Sequence, residues 1–407
     1  MSVHDKNFNV TGVCLIGAGH AVHASVPVLK HNRIENVRIF SNFGDEIQRF
    51  KEGMAANGGE ITATFADHLT PSGIIKAKPT CVTDNIEEAL KDVNVIVLPL
   101  PSFAYERVFQ SLKPHLQPGM VVLVSPGQGG VHWVAKQVLG KKLYDSLVFF
   151  ALSPMPFNCR VTEFGKHVSV QAFKTDYWVF TSPTSAAPTA ISVTKQLYGG
   201  NVTDRGHIIS AALLPLNANI HPQRLYSMLK DYKAGDILET NPLFYEEMTL
   251  EATDLMEKTS EELGRIGGAL RKHGIPCDIP TILEAETFTW PHNMKGIGEC
   301  PKDLISIFKQ NPNYKGFKCP FKSAEGGWKP DFSNRYFTED IPLGLCLFKG
   351  IGEICNVSTP TIDKIISWAQ VHMQKSYLGD DQKLDGEDVN QTYAPQRFGF
   401  TSVNDLM

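Results

Sequence analysis

The sequence has no apolar run long enough to cross a membrane and no cluster of basic residues. Its longest apolar runs, such as 95–100 and 120–124, are far shorter than the roughly 18 residues that a spanning helix needs, so we interpret them as buried strands. The net charge is −4, whereas nucleic-acid binding needs clustered lysine and arginine. We therefore expect no membrane and no nucleic-acid partner. The beginning, MSVHDKNFNV, lacks a basic segment leading into an apolar one, so no secretory signal is expected.

The cysteines lack the spacings that mark metal sites and redox pairs. There are eight of them, no C-x-x-C pair occurs, and none has a histidine partner at the spacing of a zinc site. Scattered cysteines of this kind are typical of reduced thiols in a cytosolic protein. We expect a cytoplasmic location and no bound metal.

What the sequence does contain is a glycine turn directly after a short apolar run. The letters VCLI at 13–16 predict a buried strand, Gly17 and Gly19 predict the turn, and a helix is expected from Val22 onward. The N–H groups of such a helix would face a dinucleotide pyrophosphate. Val22 stands where Gly or Ala is usual, so the motif is incomplete and also fits a turn without a ligand. The candidate cofactor residues of this turn are Gly17, Ala18, Gly19 and His20.

A second strand is predicted at 36–41, and it ends at Ser41. Dinucleotide sites usually place Asp or Glu at this point to bind the adenosine ribose. The nearest acids, Asp45 and Glu46, are better explained as the start of a helix, where carboxylates favour the positive end of the dipole. The choice between NAD and NADP therefore stays open here, although no arginine directly follows the strand to bind a 2′-phosphate.

Further strands are predicted at 61–64, 77–82, 94–98, 120–125 and 148–152. The first two would form a hairpin. The last three are nearly continuous apolar runs, as in strands covered on both faces of a parallel sheet. They are followed by the irregular loops PLPSFAYE, PGQGG and SPMPFNCR. Because ligands bind at the carboxyl ends of strands in open α/β sheets, we expect these loops to meet at one crevice.

The pattern changes near the glycine-containing stretch 197–204, LYGGNVTD, which suits a hinge. Beyond it, apolar residues recur at helical spacing from 248 to 270, and Thr-Pro at 359–360 begins another helix. We predict an α/β fold in which an N-terminal Rossmann-type doubly wound sheet, residues 1–204, is followed by a mainly α-helical C-terminal domain, residues 205–407.

Two places in the second half carry side chains suited to chemistry. His221 is followed by proline, which favours an extended conformation at the boundary of an element, and histidine is the side chain best matched to proton transfer near neutral pH. The segment NRYFTED brings Arg335, Glu339 and Asp340 next to an apolar run. A surface histidine and a structural salt bridge explain these residues as well as catalysis does.

Several separated motifs resemble one known family. They are GAGHAVH, NCRVTEFGK, NIHP, SAEGGWKPDFSNRYFTEDIPLG and APQRFGF, in this order, and they extend from the first strand to about Phe400. Together they resemble the opine dehydrogenases of marine invertebrates, the octopine dehydrogenase group. The resemblance implies a Rossmann domain followed by a helical domain, and a monomer. It also implies an enzyme that joins pyruvate to the amino group of an amino acid and reduces the imine with NADH, which regenerates NAD in anaerobic glycolysis.

The resemblance also implies roles for residues of the helical domain. It assigns the catalytic histidine to His221 and its carboxylate partner to Asp340. Such a carboxylate would fix the tautomer of the imidazole and stabilise its protonated form. Arg335 matches an arginine that the family uses to reach the NADH pyrophosphate.

Substrate residues follow from the same resemblance. Gln128 and Cys159 match positions that line the keto acid and amino acid pockets. Four residues before the histidine the octopine enzyme has Tyr, whereas this chain has Asn217. That difference argues against arginine as the substrate and favours alanine, glycine, β-alanine or taurine, with an alanopine, strombine or tauropine type of product.

Two other hypotheses fit the same residues. A 2-hydroxy acid or polyol-phosphate dehydrogenase of the same two-domain plan would oxidise NADH without an added amine. A nucleotide-sensing regulator would bind NADH and turn nothing over, and it would tolerate the loss of His221.

Overall fold

The first half of the chain forms a large sheet flanked by helices. The structure is a computed structural model, and it describes residues 8–127, 129–291, 294 and 296–407. In chain order the strands are β1 (Val13–Ile16), β2 (Val37–Phe40), β3 (Ile61–Phe65), β4 (Gly73–Ala77), β5 (Cys81–Thr83), β6 (Val95–Leu98), β7 (Val121–Val124), β8 (Val148–Ser153), β9 (Phe157–Glu163), β10 (His167–Phe173), β11 (Asp176–Ser182) and β12 (Asn201–His207). The helices are α1 (His20–His31), α2 (Glu46–Ala55), α3 (Ile86–Ala89), α4 (Tyr105–Leu112), α5 (Val131–Leu139), α6 (Lys141–Tyr144) and α7 (Ala187–Tyr198), with 3₁₀ turns at Ser102–Ala104 and Thr184–Ala186.

The main sheet has the topology of a dinucleotide-binding fold. Its eight strands lie in the order β12-β11-β8-β7-β6-β1-β2-β5. Strand β1 is parallel to both β2 and β6, so the direction of winding reverses beside β1. The strands from β5 to β8 thus have the 3-2-1-4-5-6 order of a Rossmann fold, and β11 continues the sheet antiparallel to β8. The predicted doubly wound sheet is confirmed, and the carboxyl ends of β1 and β6 lie side by side.

The central strands are those that the apolar runs predict. Strands β1, β6 and β7 consist of VCLI, VIVL and VVLV, and every residue in them is buried. Continuous apolar strands are stable in this position because helices cover both faces of the sheet.

A second, smaller sheet lies against α1. Its order is β4-β3-β10-β9, and α1 contacts all four of its strands. Helix α1 begins at His20 rather than Val22, because Gly19 is already its N-cap. It is buried at every position from Val22 to Leu29. Val22 itself is 1% exposed and belongs to the core cluster that includes both sheets.

The predicted hairpin is correct only in part. β3 pairs antiparallel with a strand at Gly73–Ala77, and the predicted second strand at 77–82 does not form as one strand, since Ala77 ends β4 and 81–82 begin β5. Pro79 lies within the predicted strand and has no N–H to donate to a sheet ladder. The chain leaves the small sheet at this point, and β5 joins the main sheet beside β2.

The stretch 197–204 is not a linker, contrary to the prediction of a hinge. Gly199 and Gly200 both have positive φ and form the turn between α7 and β12. A Cβ on Gly200 would lie 2.3 Å from the carbonyl oxygen of Thr175, so only glycine fits there. The boundary predicted at residue 204 therefore falls inside strand β12, which pairs with β11. The chain divides into two compact units between Ala211 and Ala212, with Met294, Gly296 and Ile297 grouped with the first unit.

The second unit is mainly helical. Its helices are α8 (Ile209–Ala212), which straddles the division, α9 (Asn217–Leu229), α10 (Leu250–Lys272), α11 (Ile282–Thr289), α12 (Leu304–Gln310), α13 (Arg335–Thr338), α14 (Cys346–Ile354) and α15 (Pro360–Met373). A π-helical turn covers Ile341–Leu345, 3₁₀ turns lie at Pro312–Tyr314, Val389–Gln391, Pro395–Phe398 and Val403–Leu406, and the hairpin β13 (Phe321–Ala324) and β14 (Gly327–Pro330) completes the unit. None of the helices in the described ranges is long and apolar enough to cross a membrane.

The long helix α10 supports the start of α15, as well as forming part of the core. Glu262, 2% exposed, accepts the N–H groups of Thr361 and Ile362 at 2.7 and 3.1 Å. A carboxylate in this position satisfies two N–H groups that have no partner within their own helix. Pro360 occupies the first turn of α15, as predicted, where the missing N–H costs nothing.

A buried histidine ties α1 to the turn between β9 and β10. His23 Nδ1 lies 2.9 Å from the carbonyl oxygen of Gly19, and its Nε2 lies 2.8 Å from the amide nitrogen of Gly165. The Gly165 N–H must donate, so Nε2 accepts, and the ring is neutral with its proton on Nδ1. Burial lowers the pKa of His23 to about 4. The Phe50 and Phe164 rings pack against it, with centroids at 4.5 and 5.2 Å.

We expect this neutral ring to make the first unit lose stability as the pH falls. The unfolded chain takes up a proton on His23 near pH 6.5, whereas the native state does so only near pH 4. The free energy of unfolding should therefore decrease between these two values, by about 3 kcal/mol for this group. Urea titrations across this range measure the slope. His23→Gln, which does not titrate, should show a shallower slope than the wild type, and the exposed His31→Gln should keep the wild-type slope. Equal slopes for all three proteins contradict the prediction.

Candidate active site

The turn from β1 into α1 has the features of an anion site. Gly17 has a φ of 96°, which glycine adopts without strain. Gly19 is the N-cap of α1, and a Cβ on it would meet no described atom within 4 Å, so the space before the helix is open. Ala18 is 1% exposed and belongs to the core. The first turn of α1 has no acidic side chain, so an anion there would meet N–H groups and no carboxylate within that turn. The turn fits a dinucleotide pyrophosphate.

His20 is held beside this turn as a neutral ring. Its Nδ1 accepts the N–H of Val161 at 3.0 Å, so the proton of the ring lies on Nε2. Burial, with a further contribution from the charge of Arg160, lowers the pKa of His20. The ring is therefore able to donate a hydrogen bond beside the turn without adding a charge.

The end of β2 carries Ser41 where a typical NAD site has Asp or Glu, as the sequence indicates. The Ser41 hydroxyl donates to Glu46 at 2.7 Å, and Glu46 lies in the first turn of α2 as predicted. The structure also brings Arg107 to this point, where its guanidinium donates to the carbonyl oxygen of Asn42 at 2.9 Å. Sequence reasoning missed Arg107 because it belongs to α4, far along the chain.

Of the two substrate residues predicted in the first unit, Cys159 and Gln128, the structure describes only Cys159. Cys159 lies on β9, is 5% exposed and belongs to the core cluster. Burial raises the pKa of its thiol to about 12, so the thiol stays protonated at neutral pH. Gln128 lies outside the described residues.

In the second unit, His221 and Asp340 form a buried pair. Nδ1 of the imidazole lies 2.7 Å from the Oδ2 atom of Asp340, and the two side chains are 5% and 11% exposed. Nε2 of the same ring lies 3.1 Å from the hydroxyl of Tyr245. The ring of Tyr336 stacks on the imidazole, with centroids 3.8 Å apart and an angle of 16°. A carboxylate on Nδ1 fixes the tautomer and directs Nε2 toward acid–base work.

The prediction that His221 is extended is wrong, because it lies inside α9. Proline in a helix interior removes a hydrogen bond and costs about 3 kcal/mol relative to alanine. Pro222 is nevertheless accommodated, since α9 is buried at every position from Asn219 to Tyr226. Side-chain bonds also fasten the helix to α10: Asn219 donates to the Met256 carbonyl and Gln223 donates to Thr259, at 3.0 and 3.1 Å.

Asp340 reaches the histidine from the start of a π-helical turn. The Leu345 N–H donates to the carbonyl oxygen of Asp340 at 2.9 Å, which is the spacing of a π turn. Gly344 lies in this turn, and a Cβ on it would be 2.3 Å from the Cβ of Ala218. The absence of a side chain at Gly344 thus lets the turn pack directly on the first turn of α9, beside His221.

The other two predicted site residues of the second unit, Arg335 and Asn217, are exposed. Each precedes one member of the pair by four or five residues in the sequence. Arg335 is the first residue of α13, its side chain is 64% exposed, and it binds Glu339 through Nε and Nη2 at 3.1 and 2.7 Å. Asn217 is the first residue of α9 and is exposed. Among the residues that the structure describes, no group of three His, Cys, Asp or Glu side chains could hold a metal ion.

The sequence comparisons with known proteins agree with one another. A family profile described as NAD/NADP octopine/nopaline dehydrogenase, alpha-helical domain, matches residues 204–373. Tauropine dehydrogenase of Arabella iricolor is 31% identical over 405 residues, which is 97% of this chain and 99% of the relative. Solved octopine dehydrogenase structures with NADH and L-arginine, and with NADH and pyruvate, are 27% identical over 97% of both chains, with TM-scores of 0.83 and 0.80.

The Rossmann unit, the dinucleotide turn and these matches define an NAD-dependent oxidoreductase. More narrowly, the chain belongs to the opine dehydrogenase family.

We expect the close contact between Gly344 and Ala218 to be required for stability. Gly344→Ala should lower the free energy of unfolding by about 1–3 kcal/mol through overpacking. Ala218→Gly should cost up to about 1 kcal/mol as a helix substitution. The double variant should recover part of the loss, because the two methyl groups then no longer collide. Thermal unfolding of the four proteins in a double-mutant cycle measures this coupling. Costs that simply add contradict the contact.

Proposed function

We propose that this opine dehydrogenase condenses pyruvate with the amino group of a small amino acid or taurine and reduces the imine with NADH. The observation that carries the proposal is the buried pair of His221 and Asp340, which leaves one imidazole nitrogen available for acid–base work. The open glycine turn before α1 supports the cofactor. The octopine dehydrogenase complexes with pyruvate and with L-arginine support the two substrate classes.

The cofactor would be held by the first unit. Gly17, Ala18 and Gly19 would present backbone N–H groups to the pyrophosphate, and His20 would add an Nε2–H donor. NADH supplies the hydride when it is bound. We propose that Arg335 also binds the pyrophosphate, because an exposed guanidinium can form paired bonds to phosphate oxygens.

His221 would carry out the acid–base steps. The amine attacks the pyruvate carbonyl carbon and loses two protons as the C=N bond forms, and the carbonyl oxygen takes up two protons and leaves as water. We propose that His221 binds this oxygen through Nε2, polarises the carbonyl and donates a proton to the departing hydroxyl. Asp340 keeps the Nδ1–H in place and stabilises the imidazolium, in the role that a carboxylate has in a catalytic triad.

The amine would be small. Asn217 is exposed at the start of α9, at the position that we interpret as a substrate residue, and its side chain is shorter than tyrosine. Likeness to a tauropine dehydrogenase supports the same choice. We propose Gln128 and Cys159 as further substrate residues, with Cys159 acting as a neutral thiol. Each turnover would convert NADH to NAD, so the reaction would sustain glycolysis in the absence of oxygen.

An amine panel tests the substrate. With NADH and pyruvate present, we expect oxidation of NADH to require an amine, and we expect taurine, alanine, glycine or β-alanine to exceed arginine in kcat/KM by at least about tenfold. Asn217→Tyr should reduce this preference. The measurement is the loss of NADH absorbance. Oxidation with pyruvate alone indicates a 2-hydroxy acid dehydrogenase instead, and no oxidation with any amine contradicts the proposal.

Variants of the pair test the mechanism. His221→Asn and Asp340→Asn should each lower kcat by about 10²–10⁴-fold. The first variant removes the acid–base group, and the second removes the carboxylate that fixes its tautomer. NADH binding, measured by fluorescence titration, should be unchanged, since the glycine turn belongs to the first unit. The exposed His273→Asn, at the end of α10, is the matched control and should behave as the wild type. Wild-type turnover in His221→Asn contradicts the assignment of His221.

A further inference from the structure

Tyr245 contacts the nitrogen on which the proposed chemistry depends. Asp340 occupies Nδ1 of His221, so Nε2 is the nitrogen left for a substrate, and the Tyr245 hydroxyl lies 3.1 Å from it. Tyr245 is 7% exposed. Nothing in its sequence neighbourhood, NPLFYEEM, marks it as a site residue.

Tyr245 keeps its proton at neutral pH and is therefore able to donate a hydrogen bond. Burial, together with the nearby Tyr336, Glu286 and Asp340, raises its pKa well above the usual value near 10. When His221 is neutral, the Tyr245 O–H can donate to the lone pair of Nε2. When His221 is protonated, the Nε2–H can donate to the Tyr245 oxygen, and the Tyr245 proton can turn to the hydroxyl of Tyr336, with which Tyr245 also forms a hydrogen bond.

A buried arginine holds Tyr245 in this position. Arg224 lies one turn after His221 on α9 and is 2% exposed. Its Nε donates to the carbonyl oxygen of Phe244 at 3.2 Å, and its Nη2 donates to that of Glu247 at 2.9 Å. These carbonyls flank Tyr245 in the chain. The helix that carries the imidazole therefore also fixes the backbone that carries the phenol.

Aromatic rings fix the phenol and the imidazole from their other sides. Tyr314 stacks on Tyr245, with centroids 4.2 Å apart and an angle of 14°. Tyr336 stacks on the imidazole, and Phe244 meets it edge to face at 5.4 Å. This packing restrains both rings of the Tyr245–His221 pair.

We propose that Tyr245 is a positioning residue for His221, and that its hydroxyl holds Nε2 in the reactive orientation in both charge states of the imidazole. The inference rests on the proposed function, because it assigns the acid–base step to His221. No covalent bond forms or breaks at Tyr245. It acts by keeping the direction of Nε2 constant, and in the protonated ring the Nε2–H is shared between the Tyr245 oxygen and the substrate oxygen as a three-centre hydrogen bond.

Tyr245→Phe tests the inference, because it removes the hydroxyl and keeps the packed ring. We expect kcat to fall by about 10- to 100-fold, as small misplacements of a catalytic group do. KM for pyruvate should change by less than about threefold and NADH binding should stay unchanged, since a loss confined to kcat marks a group that acts in the reaction. Tyr226→Phe removes a different phenol hydroxyl, on α9, and should retain wild-type kcat. The melting temperatures of the variants measure their folding.

Tyr336→Phe provides a second, independent variant. It keeps the stacked ring and removes the hydroxyl that can accept the hydrogen bond of Tyr245, so it should lower kcat by a smaller factor, about three- to tenfold. A kcat within twofold of wild type in Tyr245→Phe overturns the inference, provided that His221→Asn is impaired. So does a kcat loss that is accompanied by lost NADH binding or a large drop in melting temperature. Wild-type turnover in His221→Asn contradicts the proposed function itself.

Discussion

The second unit is organised around one hydrogen bond between a buried imidazole and a buried carboxylate. Removing a carboxylate and an imidazole from water is costly unless each finds partners. His221 and Asp340 satisfy each other at 2.7 Å, and the surrounding elements converge to keep them together. Helix α9 carries the histidine, the π-helical turn carries the aspartate, and Gly344 removes the side chain that would separate them. The contact between His221 and Asp340 therefore depends on how α9 packs against the π-helical turn, as well as on the two residues themselves.

In the first unit, the dinucleotide site requires that the backbone N–H groups at the start of α1 are left without a side-chain partner from its N-cap or first turn. A glycine N-cap without a side-chain bond and a first turn without acids satisfy this requirement. The same helix is buried along most of its length against a second sheet, and two histidines of its first turn bind that sheet's β9–β10 hairpin. The rigidity that an anion site needs thus comes from contacts behind the turn, where they do not compete with a ligand for the N–H groups.

The sequence predicted the parts of the structure that depend on local composition. Apolar runs located β1, β6, β7 and β8, because a strand buried on both faces must be continuously apolar. Family resemblance placed His221 and Asp340 together, and their contact is observed. Local rules failed where tertiary packing decides the outcome. The proline after His221 suggested an extended residue, but burial of α9 outweighs one lost hydrogen bond. Tyr245 and Arg107 had no local signal, since each meets its partner only through the fold.

The π-helical turn at Ile341–Leu345 has a consequence for how the site can change in evolution. Such a turn holds one residue more than an α turn. Deleting a single residue within it would convert it to ordinary helix and rotate the preceding Asp340 by about 100° about the helix axis. The carboxylate would then point away from His221 although every side chain of the pair was still present. The direction of this carboxylate is therefore encoded in the length of the chain between Asp340 and α14, and an alignment that scores residue identity alone would overlook its loss.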